Sequence, residues 1–157
     1  MTAITVGNTV ADFEADSTDD QRFRLSDYKG SYLVLYFYPR DNTPGCTKEG
    51  QDFAQHFSEF EKLNTGIFGI SRDTLAAHQK FREKYNFPFH LIADPDETIC
   101  TSFDVIKMKN MYGKQVRGIE RSTFLLDPDS VLIHEWRKVK VKDHVEQVLE
   151  VIRQHSV

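Results

Sequence analysis

The densest apolar run in the chain is Tyr32–Tyr38, YLVLYFY. No polar position interrupts it, which predicts a strand buried on both faces in the middle of a sheet. Pro39 supplies no ladder donor and ends the run. The turn-rich stretch Pro39–Cys46 then leads into Phe53, Phe57, Phe60 and Leu63, spaced by three and four like one face of a helix. Cys46 is thereby placed in the first turn of a helix that follows the central strand. Ile67–Ser71 reads as a second strand, with Asp73 or Thr74 as the N-cap of a helix running to about Tyr85. A short strand at Leu91–Ala93, a turn at Asp94-Pro95-Asp96 and a short helix to Phe103 come next, with Ile99, Cys100 and Phe103 on one side. Residues 105–119 read as a loop. Ser122–Asp127 and Val131–Trp136 flank Asp127-Pro128-Asp129-Ser130, a hairpin with a four-residue turn. An amphipathic helix, Asp143–His155, closes the chain with Val145, Val148, Leu149 and Ile152 turned inward. Parallel units followed by a hairpin and a helix predict an α/β fold, a three-layer sandwich in which helices cover both faces of a central mixed sheet.

The 157 residues, 39% hydrophobic and 28% charged, have the composition of one ordinary globular domain spanning 1–157, compact from about residue 5 to 155. Twenty Lys+Arg against 24 Asp+Glu leave a net charge of -4, which argues against an electrostatic hold on nucleic acid or anionic lipid. Proteins and small molecules remain as partners. No run approaches the ~18 apolar residues of a membrane span. The first twenty residues lack a basic segment followed by an apolar one, so no signal peptide is read and a reducing cytoplasm is expected. The six histidines show no HxH or HxxxH spacing, so they are expected to be mostly solvated, with no metal and no cofactor. The basic run Arg137–Lys142 reads as a charged edge or loop.

With only Cys46 and Cys100 present, neither a disulfide framework nor a CxxC zinc cluster can be built. A thiol in the first turn of a helix meets the positive end of the macrodipole and free backbone N–H donors, both of which favour the thiolate. Cys46 is therefore a candidate nucleophile. Helix position alone fits an inert buried cysteine just as well, because free cysteine is among the most buried residue types.

Its surroundings carry more. Pro39-x-x-x-Thr43-x-x-Cys46, directly after a central strand, resembles the active-site loop of the peroxiredoxins. TPGCTKEG (Thr43–Gly50), KNMYGK (Lys109–Lys114) and GIERSTFLLD (Gly118–Asp127) resemble the bacterioferritin comigratory protein, or peroxiredoxin Q, branch. The resemblance extends from about Val6 to the terminal helix. It implies a thioredoxin-like fold and thiol-dependent reduction of hydrogen peroxide and organic hydroperoxides. Cys46 is then the peroxidatic residue, whose thiolate attacks one peroxide oxygen, expels water or an alcohol and becomes a sulfenic acid. Thr43 would place its hydroxyl near the thiolate and the peroxide, or else only stabilise the turn. Pro39 would shape the loop and cover the thiolate, or else only end the strand. The GIER register makes Arg121, rather than the nearby Arg117, the family's arginine, whose guanidinium would point at the sulfur. Glu49 would hold that arginine in place, or else only favour the helix dipole.

Recycling the sulfenic acid is where this sequence departs from its likeness. Much of the branch has a resolving cysteine five residues beyond the peroxidatic one, where this chain has Gln51. Other members carry it in the helix after the next strand, and Thr74–Tyr85 contains none. Cys100 is either the resolving residue or a buried small hydrophobe, and bridging would need Cα atoms within ~7 Å. The expected mechanism is one-cysteine turnover, with an external thiol from thioredoxin, glutaredoxin or a small molecule attacking the sulfenic acid. A Cys46–Cys100 disulfide reduced by thioredoxin, and a non-enzymatic thioredoxin-like redox sensor, are the alternatives. A monomer is expected, as is frequent in the branch.

Overall fold

The computed structural model describes residues 4–156. Strands β1 (Glu14–Ser17) and β2 (Gln21–Arg24) form an antiparallel hairpin and are followed by a 3-10 turn at Leu25–Tyr28. The central strand β3 (Tyr32–Phe37) leads through the Pro39 loop into α1 (Pro44–Gln55) and α2 (Phe57–Lys62). Next come β4 (Thr65–Ser71), α3 (Leu75–Tyr85), β5 (His90–Ala93) and the short α4 (Thr98–Ser102). Strands β6 (Ile106–Met111) and β7 (Lys114–Ile119) precede β8 (Ser122–Leu126), β9 (Leu132–Trp136) and α5 (His144–His155).

Among the described residues, seven strands form one mixed sheet in the order β2-β1-β5-β4-β3-β8-β9, while β6 and β7 pair only with each other. β3 lies parallel to β4 and antiparallel to β8, and β4 lies parallel to β5. Because strand side chains alternate between faces, β3 feeds two separate cores. Leu33, Leu35 and Phe37 join Phe124, Ile92, Ile99, Cys100 and Phe103 on one face. Val34, Tyr36 and Tyr38 join Cys46, Phe53, Phe60, Phe81 and the inner side of α5 on the other. The layers are unequal. The second face carries α1, α2, α3 and α5, whereas the first is covered by α4, the 3-10 turn and the N-terminal segment. No helix among the described residues is long and apolar enough to cross a membrane.

Four features differ from the sequence reading. Residues 105–119 are not a loop but the β6–β7 hairpin. Tyr112 (φ 53) and Gly113 (φ 80) are both left-handed, as a two-residue type I′ turn requires. The β1–β2 hairpin went unread because its inward positions are Ala15, Ser17 and Phe23, too few apolar residues to mark a period of two. The helix carrying Phe53–Leu63 is interrupted at His56 (φ -100, ψ 10). The histidines are also less solvated than expected, with His78 and His144 both buried.

Candidate active site

The parallel strands β3, β4 and β5 end on the same side of the sheet, where the chain turns into its helices. Here β3 gives way to Pro39-Arg40-Asp41-Asn42, and Asn42 takes a left-handed φ of 61 that a short polar side chain tolerates. Thr43 is the N-cap of α1 and Pro44 its first helical residue, where a missing N–H costs nothing. Cys46 is the third. Its side chain belongs to the core beside Tyr36 and Phe53, and the residue is 2% exposed. The Thr43 hydroxyl donates to the Arg40 carbonyl at 2.9 Å and makes no capping bond, so among the described residues no side chain caps the first N–H groups of α1.

Arg121 comes from the junction between β7 and β8, where its carbonyl accepts from the Val139 N–H at 3.0 Å. Its Nη2 donates to Cys46 Sγ at 3.5 Å and its Nη1 to Glu49 Oε1 at 2.7 Å. Gly45 makes that approach possible, since a Cβ there would stand 3.1 Å from Nη2. Glu49, one turn beyond Cys46, is wholly buried. Burial pushes its carboxyl up to about 7 against the pull of Arg121. Among the described residues its Oε2 has no hydrogen-bond partner, whereas Oε1 accepts from Arg121. Burial opposes the charge on Arg121, but Glu49 and Cys46 together outweigh it and hold the guanidinium above its ordinary range.

The loop before Cys46 is tied down by residues that sequence reasoning missed. Tyr38 Oη donates to Asp41 Oδ1 at 2.6 Å, and Asp41 Oδ2 lies 2.7 Å from His78 Nδ1. His78 Nε2 donates to the Ile92 carbonyl at 2.9 Å and must therefore carry a hydrogen. The short contact between Nδ1 and Asp41 straps the loop to α3. The Asp41 N–H donates to Asp73 Oδ2 at 2.9 Å, and Asn42 Oδ1 accepts from Lys84 Nζ at 3.1 Å. Asp41, Asp73 and His78 bring possible ligand atoms within 4.8 Å of one another. Those atoms are committed to the hydrogen bonds just given, and the cluster is an anchor for the loop. The only sequence signal was a polar His78 on the inner side of an amphipathic helix.

Of the residues singled out by the sequence, the structure brings Cys46, Arg121 and Glu49 into contact. Thr43 and the half-buried Pro39 frame the loop, and among the described residues neither hydrogen-bonds to the sulfur. Cys100 is elsewhere. It is the third residue of α4, 0% exposed, in the core on the opposite face of the sheet from Cys46. Burial and then Asp94 push its thiol well above the ordinary cysteine range. Both cysteines are free, and Gln51 is exposed on α1.

The chain is similar over most of its length to known proteins. The model of the AhpC/TSA family matches residues 6–135. Peroxiredoxin Bcp of Bacillus subtilis is 48% identical over 153 residues, 98% of each chain. Peroxiredoxin Bcp of Xanthomonas campestris is 52% identical over 132 residues, covering 84% of this chain and 82% of that one. Among solved structures, Xanthomonas campestris Peroxiredoxin Q superimposes with a TM-score of 0.88 at 48% identity over 92% of each chain. A cysteine-to-serine mutant of Xylella fastidiosa PrxQ does so with a TM-score of 0.94 at 40% identity over the whole of both. A further Xanthomonas campestris structure, with a TM-score of 0.88 at 47% identity over 92% of each chain, is described as giving insight into the alkyl peroxide reduction activity of its bacterioferritin comigratory protein.

Proposed function

The chain belongs to the AhpC/TSA family as a peroxiredoxin of the bacterioferritin comigratory protein branch, a thiol-dependent peroxidase, and from that premise we propose how its own residues carry the reaction. The Cys46 thiolate attacks the terminal oxygen of a hydroperoxide. The O–O bond breaks, an S–O bond forms, and the departing oxygen takes a proton to leave as water or an alcohol, with Cys46 oxidised to the sulfenic acid. The observation that carries this reading is the 3.5 Å contact from Arg121 Nη2 to the sulfur at an uncapped helix N-terminus. A fixed guanidinium there stabilises the thiolate before attack and the charge moving onto oxygen during it. Glu49 fixes the guanidinium through Nη1. Thr43, whose hydroxyl hydrogen rests on the Arg40 carbonyl, keeps its oxygen lone pairs free at the mouth and rotates to serve as a donor to peroxide. Pro39 starts the loop without an N–H that would need a partner.

Recycling is by an external thiol. The sulfenic acid and one thiol condense to a mixed disulfide with loss of water, and a second thiol displaces Cys46 as the free thiol, leaving the reductant oxidised. What supports this over an internal Cys46–Cys100 bridge is the sheet between the two sulfurs and the disfavoured ionisation of Cys100. The same reading places the chain, as a monomer, in a reducing compartment such as the cytoplasm. Intact mass after one equivalent of hydrogen peroxide tests it. Gain of one oxygen is the expected result, and loss of two hydrogens, the signature of an internal disulfide, overturns the one-cysteine cycle.

A further inference from the structure

Most of the exposed large apolar side chains among the described residues lie in one place. Met108, Met111, Tyr112 and Val116 are all on β6–β7, and Tyr112 at its tip is 100% exposed. Scattered apolar side chains on a surface are ordinary, but a group of them on a ribbon that joins no other strand marks a contact surface. The register sorts them. Directly paired residues share a face and alternate along the ribbon. Lys107 with Gly118, Lys109 with Val116 and Met111 with Lys114 form one face; Met108 with Arg117 and Asn110 with Gln115 belong to the other.

The first face runs from the tip to the active site. A Cβ at Gly118 would stand 3.7 Å from Arg72 Nη2 and 3.9 Å from Lys109 Nζ. Lys109 Nζ donates to the Ile119 carbonyl, two residues before Arg121. Burial, and next the charge of Arg121, hold the Lys109 ammonium below its ordinary range. Residues 106–119 contain Lys107, Lys109, Lys114 and Arg117 and no acidic residue, in a chain whose net charge is -4. Lys107 pairs with Asp104 and Arg117 with Glu97, which leaves Lys109 and Lys114 as the positive charge of an apolar ledge that leads to the strand junction carrying Arg121.

We propose that the face of the β6–β7 hairpin carrying Lys109, Met111, Lys114 and Val116, with Tyr112 at its tip, docks an acidic protein dithiol that recycles Cys46. The inference rests on the external-thiol cycle proposed above. Cys100 lies behind the sheet, so the second sulfur has to arrive through the mouth that this face adjoins. A small thiol needs no platform. A folded reductant must hold one of its sulfurs against a nearly buried partner, and an apolar anchor rimmed by like charges supplies contact area together with steering and orientation.

The test compares two reductants on the full-length protein: thioredoxin kept reduced by its reductase, and dithiothreitol. In the triple variant Met111→Ser, Tyr112→Ser, Val116→Ser, kcat/KM for thioredoxin falls by roughly tenfold or more, the loss that truncating anchor residues brings. Turnover with dithiothreitol, and oxidation of Cys46 by one equivalent of peroxide, stay at the wild-type rate. Met108→Ser, on the opposite face, changes neither reductant. Lys114→Glu lowers kcat/KM for thioredoxin and weakens its dependence on ionic strength, and it decides the matter if the triple variant does not fold. Equal loss with both reductants, or none with either, in a folded variant overturns the proposal. So does a wild-type dimer that the triple variant dissociates, or wild-type retention on anionic vesicles that it abolishes, with thioredoxin kinetics unchanged. The mass of peroxide-treated wild type reads the recycling chemistry independently, so the two readings fail separately.

Discussion

Cys46 and Cys100 are both the third residue of a helix, both free, and both almost wholly buried, at 2% and 0% exposure. Neither burial nor helix position distinguishes them. The difference lies in what meets the first N–H groups of each helix. At α4 the Asp94 carboxylate takes them, accepting from the Ile99 N–H at 3.1 Å and the Cys100 N–H at 2.8 Å. The helix end is capped and a negative charge is fixed beside the thiol. At α1 the capping hydroxyl of Thr43 is turned away to Arg40, and Arg121 brings a positive charge to the sulfur instead. One helix start spends its donors on stability and the other keeps them for an anion. In the proposed cycle, the choice of Cys46 over Cys100 follows the sign of one neighbouring side chain and the presence or absence of a cap.

The largest effect expected from that contrast is on turnover. Cys46→Ser abolishes hydroperoxide consumption with every thiol donor, while Cys100→Ser keeps it, with lower thermal stability because a hydroxyl replaces a thiol in an apolar core. A Cys100→Ser protein inactive with all reductants yet folded by circular dichroism would erase the distinction between the two. Next comes the charge itself. Arg121→Met should slow the second-order oxidation of Cys46 by about 10²–10³-fold, the usual consequence of removing one preorganised donor from developing charge. Rapid mixing with peroxide, followed by thiol quantification, measures it. Arg121→Lys, which keeps the charge but not the fork that spans sulfur and Glu49, should fall between.

The third prediction concerns the strap that presents the helix start. His78→Leu leaves Asp41 Oδ2 without its hydrogen-bond partner in a buried setting, a change that costs about 1–3 kcal/mol. Urea unfolding measures that loss. Adding Asp41→Asn should recover part of it, and no recovery would mean that His78 acts by packing rather than by pairing.

Much of the contrast was legible before any coordinates, and the parts that were not share a cause. The unbroken run in β3, the three-and-four spacing of α5 and the turn signal between β8 and β9 encode burial directly, so their elements lie within a residue or two of the sequence reading. The first turn of α1 was readable from Pro44 and the preceding turn formers. The β6–β7 ribbon was not, because its outer half is exposed on both faces and leaves no alternation to read; Tyr112-Gly113 was its only local mark. The site followed the same rule. Cys46, Glu49 and Arg121 came from a motif, whereas the pairing of Asp41 with His78 links residues 37 positions apart and exists only once α3 packs beside the loop. The role of Asp94 was invisible for another reason: Asp94-Pro95-Asp96 announces a turn equally well whether or not its carboxylate bends back onto a helix.

The smallest expected effect is on pH dependence, and it comes from the residue that couples the two charges at the reactive end. In the folded protein burial raises the Glu49 carboxyl from 4.5 to about 7, so between those values the folded state keeps a proton that the unfolded chain releases. The stability this contributes is fully present below the unfolded value and is lost as pH rises through about 7, a total of about 3 kcal/mol at most. Glu49→Gln keeps the acceptor for Arg121 and removes the titration. Its unfolding free energy should therefore decline less than that of the wild type between pH 5 and pH 8, with the two curves separating from about 4.5 upward and running parallel above about 7. Curves parallel over the whole range would mean that Arg121 holds Glu49 ionised throughout, and that the guanidinium at Cys46 is shared with a full negative charge at every working pH.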